Sequence, residues 1–149
     1  MAFSYCLNTS TIRSDSASVL DMINTAADAG YDGIEPWVQE LDDWVAQGGS
    51  LEQVRAHAAD RNLAIVNLIG FPEWAVPEQD RRERGLEEAA RCFDMARALA
   101  CPYVAAPPFG IHDREVELLP IAERFAVLVD LAAESGVKPL LEYWGIART

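Results

Sequence analysis

The strongest constraint in this sequence is an alternation. Short apolar runs of β character take turns with amphipathic segments of helical period, in units of roughly 30 residues. The apolar runs fall at residues 3–7, 32–37, 63–69, 103–106 and 137–142. Between them, Val19, Met22, Ile23, Ala26 and Ala27 recur at helical spacing, followed later by Leu51, Val54 and Ala58. Leu86, Ala89, Phe93, Ala96 and Ala100 repeat the pattern, and so do Leu118, Ile121, Ala122, Phe125, Leu128, Val129 and Ala132. This periodicity predicts five strands joined by four helices. A strand–helix–strand repeat builds parallel sheet, because the helix carries the chain back to the start of the next strand.

The boundaries are marked chemically. Ser18-Val-Leu-Asp21 and Ser50-Leu-Glu-Gln53 have the capping-box form that opens a helix. Gly30 and Gly136 stand where a helix ends in the left-handed conformation, and Asn62 closes the second helix. Residues 42–49 read as a polar connection. Residues 70–77, with two prolines and two aromatics, read as a long loop.

Two parallel folds compete for such a chain. A doubly wound sheet usually carries a glycine-rich first turn, whereas here the first strand exits into Asn8-Thr-Ser-Thr11. A (β/α)8 TIM barrel gathers polar residues at the C-terminal ends of its strands. Asn8, Glu35, Asn67 and Glu142 each end an otherwise apolar run. The expected fold is therefore α/β, a barrel of TIM type with about the first five strands and four helices. Residues 1–149 are expected to form the N-terminal part of a single domain.

Charge and missing motifs narrow the function. With 24 acidic residues against 12 basic ones, the net charge is -12. That balance disfavours nucleic acid, whose phosphates need a basic face, and docking on an anionic membrane. There is no signal-peptide pattern at the start and no apolar stretch of membrane-spanning length. Cys6, Cys92 and Cys101 are odd in number and widely spaced, which predicts reduced thiols and a cytoplasmic protein. Lys138 is the sole lysine and begins a strand, which leaves little room for Schiff-base chemistry. No dinucleotide, P-loop or nucleophile-elbow motif is present.

Side-chain alternation then sorts the strand ends. Asn67 pointing inward takes Ile65 with it and turns Ala64 and Val66 toward the helices. Glu142 inward takes Leu140 with it, Glu35 shares a face with Gly33, and Asn8 shares one with Cys6. Small or apolar residues below and one polar residue on top is the pattern of a packed barrel core under an active site. A carboxylate in a barrel mouth must pair, bind a cation or shift its pKa. Two on one face suggest a divalent metal or acid–base work. The plainer alternative pairs each glutamate with an arginine such as Arg13.

Trp37, Trp74, Phe109 and Trp144 fall on loops at the same end, where aromatic faces suit the C–H faces of sugars. Trp37 and Trp74 are expected to line the mouth. His112, in the loop after the fourth strand, is a further candidate for substrate binding. His57 reads as structural. The acidic run Glu115-Val-Glu117 and the arginines Arg81, Arg82 and Arg84 read as solvated helix ends.

Three segments carry a family resemblance: the opening strand with its Asn-Thr-Ser-Thr end, Gly30-Tyr-Asp-Gly-Ile-Glu35, and Leu140-Leu-Glu-Tyr-Trp144. Together they resemble the sugar-phosphate isomerase/epimerase-like barrels related to xylose isomerase. The resemblance implies a divalent cation (Mn, Mg, Zn or Co) and a carbohydrate-like small-molecule substrate. It implies Glu142 as a metal ligand that doubles as a base, and Glu35 as an acidic residue for hydrogen bonding in the active site. Asn8, Trp37, Asn67, Trp74 and His112 are the expected substrate-binding residues. Hydrogen would move between adjacent carbons through an enediolate, with a carboxylate transferring the proton and the cation stabilising the oxyanion. Leu99-Ala-Cys101 stands where many members carry a glycine.

The larger departure is the want of strands six to eight and their ligands. The chain then reads as a fragment of a barrel of about 250 residues, as a truncation assembling into a homo-oligomer, or as an inactive relic. Five strands do not double into eight, which favours the fragment. Two rivals to the isomerase reading stand: an inosose- or shikimate-type dehydratase on the same barrel, and a non-catalytic oligomerising module with exposed strand edges.

Overall fold

A computed structural model describes residues 3–112 and 114–142. The alternation resolves into β1 (Cys6–Asn8), α1 (Val19–Asp28), β2 (Gly33–Glu35), α2 (Val38–Ala46), α3 (Leu51–Asp60), β3 (Ala64–Ile65), β4 (Leu68–Ile69), α4 (Gln79–Ala98), β5 (Tyr103–Ala105), α5 (Leu118–Ala133) and β6 (Lys138–Leu140). A single 3-10 turn, Thr9–Thr11, follows β1. All strand pairings are parallel, in the order β1-β2-β3 and β4-β5-β6. Among the described residues no helix is long and apolar enough to cross a membrane.

Three features depart from the expected pattern. The stretch expected to be a polar connection is mostly helix α2. It lacks a Ser, Thr or Asp at its start, because Trp37 stands there. Its first turn is held instead by the Glu40 carboxylate, which accepts the Trp37 backbone N–H at 2.9 Å, while Val38 and Leu41 bury an i, i+3 apolar pair.

The third expected strand is two. Val66 N–H still reaches Ile34 O at 3.0 Å, but beyond Asn67 the ladder resumes as β4 against β5. The Trp37–Ile69 bridge keeps the second half beside the exit of β2.

The interruption also reverses the expected alternation. Residues paired across a parallel ladder share a face. Gly33 pairs with Ala64, so Ala64 lies on the face of Gly33 and Glu35, and Ile65 on the face of Ile34. A Cβ added at Gly33 would come within 3.0 Å of Val66 Cγ1, which puts Val66 on that face too. Asn67 reaches Glu35 because the backbone is broken there, not because Ile65 turns inward.

The core accordingly lies between sheet and helices. Ile34, Ile65, Val104 and Val137 pack against Met22, Ile23, Ala26, Leu41, Val54, Phe93, Ala96 and Leu128, all buried. The other face of the strands carries Cys6, Ala64, Tyr103 and Leu140, all exposed, so the packed barrel interior expected from the alternation is not formed among these residues.

Phe93 is 1% exposed in this core. Phe93→Ala is expected to cost about 3–5 kcal/mol in urea denaturation, whereas Val127→Ala, at a side chain 52% exposed, should stay within about 0.5 kcal/mol.

At the start of α1, the Ser18 hydroxyl and then the Ser18 backbone N–H hold the Asp21 carboxyl below its ordinary pKa. The folded state therefore gains stability from Asp21 above its unfolded pKa and loses it as pH falls through the lowered value. Asp21→Asn should flatten that acid-side loss in denaturation midpoints measured from pH 7 to pH 3.

Candidate active site

The β1–β2 register places Asn8 directly beside Glu35. From there the Asn8 amide donates to Glu35 Oε1 at 3.3 Å. The break between β3 and β4 brings the Asn67 amide to Glu35 Oε2 at 3.0 Å. The carboxylate is thus gripped at both oxygens by neutral amides, which fix its plane without neutralising its charge. Asn67 Oδ1 is left buried without a hydrogen-bond partner, a cost incurred by aiming its NH2 at Glu35. The Trp37 indole donates to Asn8 Oδ1 at 3.1 Å and the Ser10 backbone N–H donates to it at 3.0 Å, and the two together set the orientation of that amide.

Four expected site residues, Asn8, Glu35, Trp37 and Asn67, therefore come together at the C-terminal ends of the strands. Glu35 is not paired with Arg13. Arg13 instead pairs with Glu40, through Nε at 2.8 Å and Nη2 at 2.7 Å.

A file of rings runs along the same rim. Trp37 and Phe71 have centroids 5.0 Å apart, Phe71 and Phe109 5.4 Å, and Phe109 and His112 5.7 Å, each pair tilted. His112 is exposed at the end of this file.

Trp74 does not line the mouth. It is 0% exposed, donates its indole N–H to Pro107 O at 3.0 Å and packs against Phe125 at 5.4 Å. The loop after β4 folds back under α5, so its tryptophan becomes core and Phe71 takes the rim. Phe71 follows Gly70 directly at the strand exit, the one sequence signal that marks it. The loop is clamped by arginines expected to be solvated: Arg81 pairs with Glu73, and Arg82 donates to Val76 O and Pro77 O at 2.9 Å. His57 is structural as expected, bonded to Asn24 Oδ1 at 2.9 Å between α3 and α1.

Glu142 lies two residues beyond β6, in the alternation phase of Leu140, and is exposed. Trp144 lies outside the described residues. No group of three or more His, Cys, Asp or Glu among the described residues is placed to hold a metal ion. These residues therefore do not form a metal centre by themselves, and Glu35 already spends an acceptor on each of two amides.

Thr9, Glu40 and Phe71 are parts of this cluster that sequence reasoning missed, and Arg13 was named only as a partner for a strand-end glutamate. Glu40 is 8% exposed. It accepts from the Thr9 hydroxyl at 2.6 Å, from Trp37 N–H and from Arg13. The useful signal was positional: an acidic residue at the third position of a helix opening directly from a strand end.

Partial desolvation of an otherwise exposed side chain, and then the charge of Glu35, push the Cys6 thiol up to about 11. At pH 8 its thiolate fraction is roughly a hundredfold below that of a thiol of pKa about 9. Iodoacetamide should therefore label Cys6 slowly at pH 8, and Glu35→Gln should speed that labelling by lowering the thiol pKa, as mass spectrometry of the Cys6 peptide would read.

The family model of the xylose isomerase-like TIM barrel matches residues 23–147. A 3-dehydroshikimate dehydratase of Pseudomonas aeruginosa is 31% identical over 122 residues, covering 75% of this chain and 18% of that protein. The solved IolI protein with a bound zinc atom superposes with a TM-score of 0.83 at 20% identity, over 96% of this chain and 52% of that one. An L-ribulose 3-epimerase superposes with a TM-score of 0.77 at 18% identity, over 97% and 51%. The chain spans less than a fifth of the curated relatives it matches and about half of these solved structures. A match across most of the chain, on a parallel sheet whose strand ends gather Asn8, Glu35 and Asn67, makes this chain a member of the xylose isomerase-like TIM barrel family.

Proposed function

We propose that this chain forms one wall of a site that moves a proton beside the carbonyl of a small polyhydroxylated compound. The observation that carries the reading is the Glu35 carboxylate, held at both oxygens by Asn8 and Asn67 at the open end of the strands. Each oxygen keeps a lone pair for a substrate hydroxyl, and the amides fix the direction in which it is offered. The rim of Trp37, Phe71, Phe109 and His112 gives apolar faces beside that polar anchor.

In this reading Glu142 takes the proton from the carbon next to the carbonyl, and the C–H electrons move into the carbonyl to leave an enolate or enediolate. Return of the proton from the other face gives an epimer, and return to the adjacent carbon gives an isomer. Loss of hydroxide from the β-carbon gives dehydration. Glu142 is also the residue this chain brings to a divalent metal whose further ligands lie outside the described set. The zinc bound by IolI supports that assignment.

Two outcomes of one proton transfer have separate support. The curated relatives are named 3-dehydroshikimate dehydratases, which favours elimination, and the L-ribulose 3-epimerase neighbour favours epimerisation.

The test is proton NMR in D2O, with 3-dehydroshikimate and D-fructose offered separately in the presence of manganese. With D-fructose, deuterium should enter at the carbon beside the carbonyl as the epimer forms; with 3-dehydroshikimate, the proton on that carbon should be lost as the aromatic product appears. Glu142→Gln should slow proton transfer by roughly 10²–10⁴-fold, and Glu35→Gln, which misdirects the bound hydroxyl, should lower kcat by roughly 10²-fold with a smaller change in KM. Exchange that is indifferent to both substitutions would remove these carboxylates from the chemistry. Size-exclusion chromatography with and without manganese completes the test: a metal-indifferent oligomer with no exchange activity supports a non-catalytic module instead.

A further inference from the structure

Trp37 stands on the site's rim, yet little of its ring is free to meet a ligand. The Arg13 guanidinium sits over one face, 4.3 Å from the centroid. Its N–H edge is spent on Asn8 Oδ1 at 3.1 Å. Phe71 packs on it at 5.0 Å. Its backbone N–H is held by Glu40 at 2.9 Å.

We infer that Trp37 is a positioning residue for Glu35, locked by Arg13 and Glu40, rather than a platform on which substrate stacks. The inference deepens the proposed function and rests on it for its catalytic meaning.

The lock is a connected set of bonds. Glu40 Oε2 takes the Thr9 hydroxyl and the Trp37 backbone N–H, and Oε1 takes two N–H groups of Arg13. Thr9 lies in the turn directly after Asn8. One buried carboxylate thus ties the exit of β1 to the exit of β2. Arg13 neutralises it and in the same pose covers the indole. The indole then holds Asn8 Oδ1, which turns the Asn8 NH2 toward Glu35. An amide can present either its oxygen or its nitrogen along a given direction. Two donors on the Oδ1 side, the indole and the Ser10 backbone N–H at 3.0 Å, settle which end faces the carboxylate and fix the amide plane. With the indole gone, Ser10 alone holds Oδ1, the amide can swing about that single bond, and the Asn8 NH2 leaves its line to Glu35 Oε1. Neither Arg13 nor Glu40 touches Glu35, so their influence on it runs through Trp37 and Thr9. The faces left for substrate C–H groups are those of Phe71 and Phe109.

The discriminating variant is Trp37→Phe. It keeps the backbone N–H to Glu40 and an aromatic ring under Arg13, and removes only the indole donor. In 15N-labelled protein its side-chain NH2 signals for Asn8 should move while those of Asn67 stay. This readout is independent of turnover and so remains valid should the proposed function fail. In the exchange assay the same variant should lower kcat by roughly ten- to a hundredfold, as a displaced catalytic group does, with KM changed by less than about twofold. Arg13→Met should move the Trp37 indole N–H and Asn8 NH2 signals together, and Arg13→Lys should restore them in part. If Arg13→Met does not fold, the pair Trp37→Phe and Arg13→Lys carries the comparison.

An unchanged Asn8 NH2 signal in Trp37→Phe overturns the inference. So does a rise in KM at constant kcat, which is the mark of a stacking platform.

Discussion

The upper end of this half-barrel depends on one buried carboxylate. Glu40 has almost no access to water, so its charge must be met within the fold or it costs on the order of several kcal/mol. Thr9, the Trp37 backbone and Arg13 meet it, and each comes from a different part of the chain. The first helical turn of α2, the turn after β1 and the placement of Trp37 are consequences of one electrostatic requirement. The acceptors of Glu40 are fully used in holding the scaffold, whereas Glu35 accepts only from two neutral amides at the strand ends.

Rigidity and openness are divided between the two faces of the sheet. The helix side carries the apolar core and decides stability. The opposite side carries Cys6, Ala64, Tyr103 and Leu140 in exposed positions. The family's barrel closes such a face by continuing the same strand–helix unit. Residues on that face can vary with little effect on the core, which leaves the same architecture open to different chemistries.

Much of this architecture is legible in the chain. Helical spacing and capping boxes locate α1 and α3 within a residue or two, since Ser18 and Ser50 satisfy N–H groups that any helix start exposes. The polar ends of β1 and β2 are equally plain, because Asn8 and Glu35 interrupt apolar runs. Helix α2 is hidden because its cap is a carboxylate three residues inside it rather than a hydroxyl before it. The break at Asn67 is hidden because seven residues of β character look the same whether or not the ladder changes partner midway. Trp74, expected at the mouth, is buried while Phe71 stands at the rim for a related reason: which aromatic of a loop turns inward depends on α5, more than forty residues away in the chain.

Local periodicity and end chemistry, properties of neighbouring residues, were enough to determine a parallel βα repeat, the starts of α1 and α3 and the polar residues at the ends of β1 and β2. The pairing of Asn67 with Glu35, the burial of Trp74 and the Arg13–Glu40–Trp37 knot were decided only when distant segments met. A hydrogen bond between residues 27 to 32 positions apart leaves no mark on either one's immediate surroundings. Its existence depends on register and on which buried charges must find partners, and both are fixed by the packed sheet as a whole.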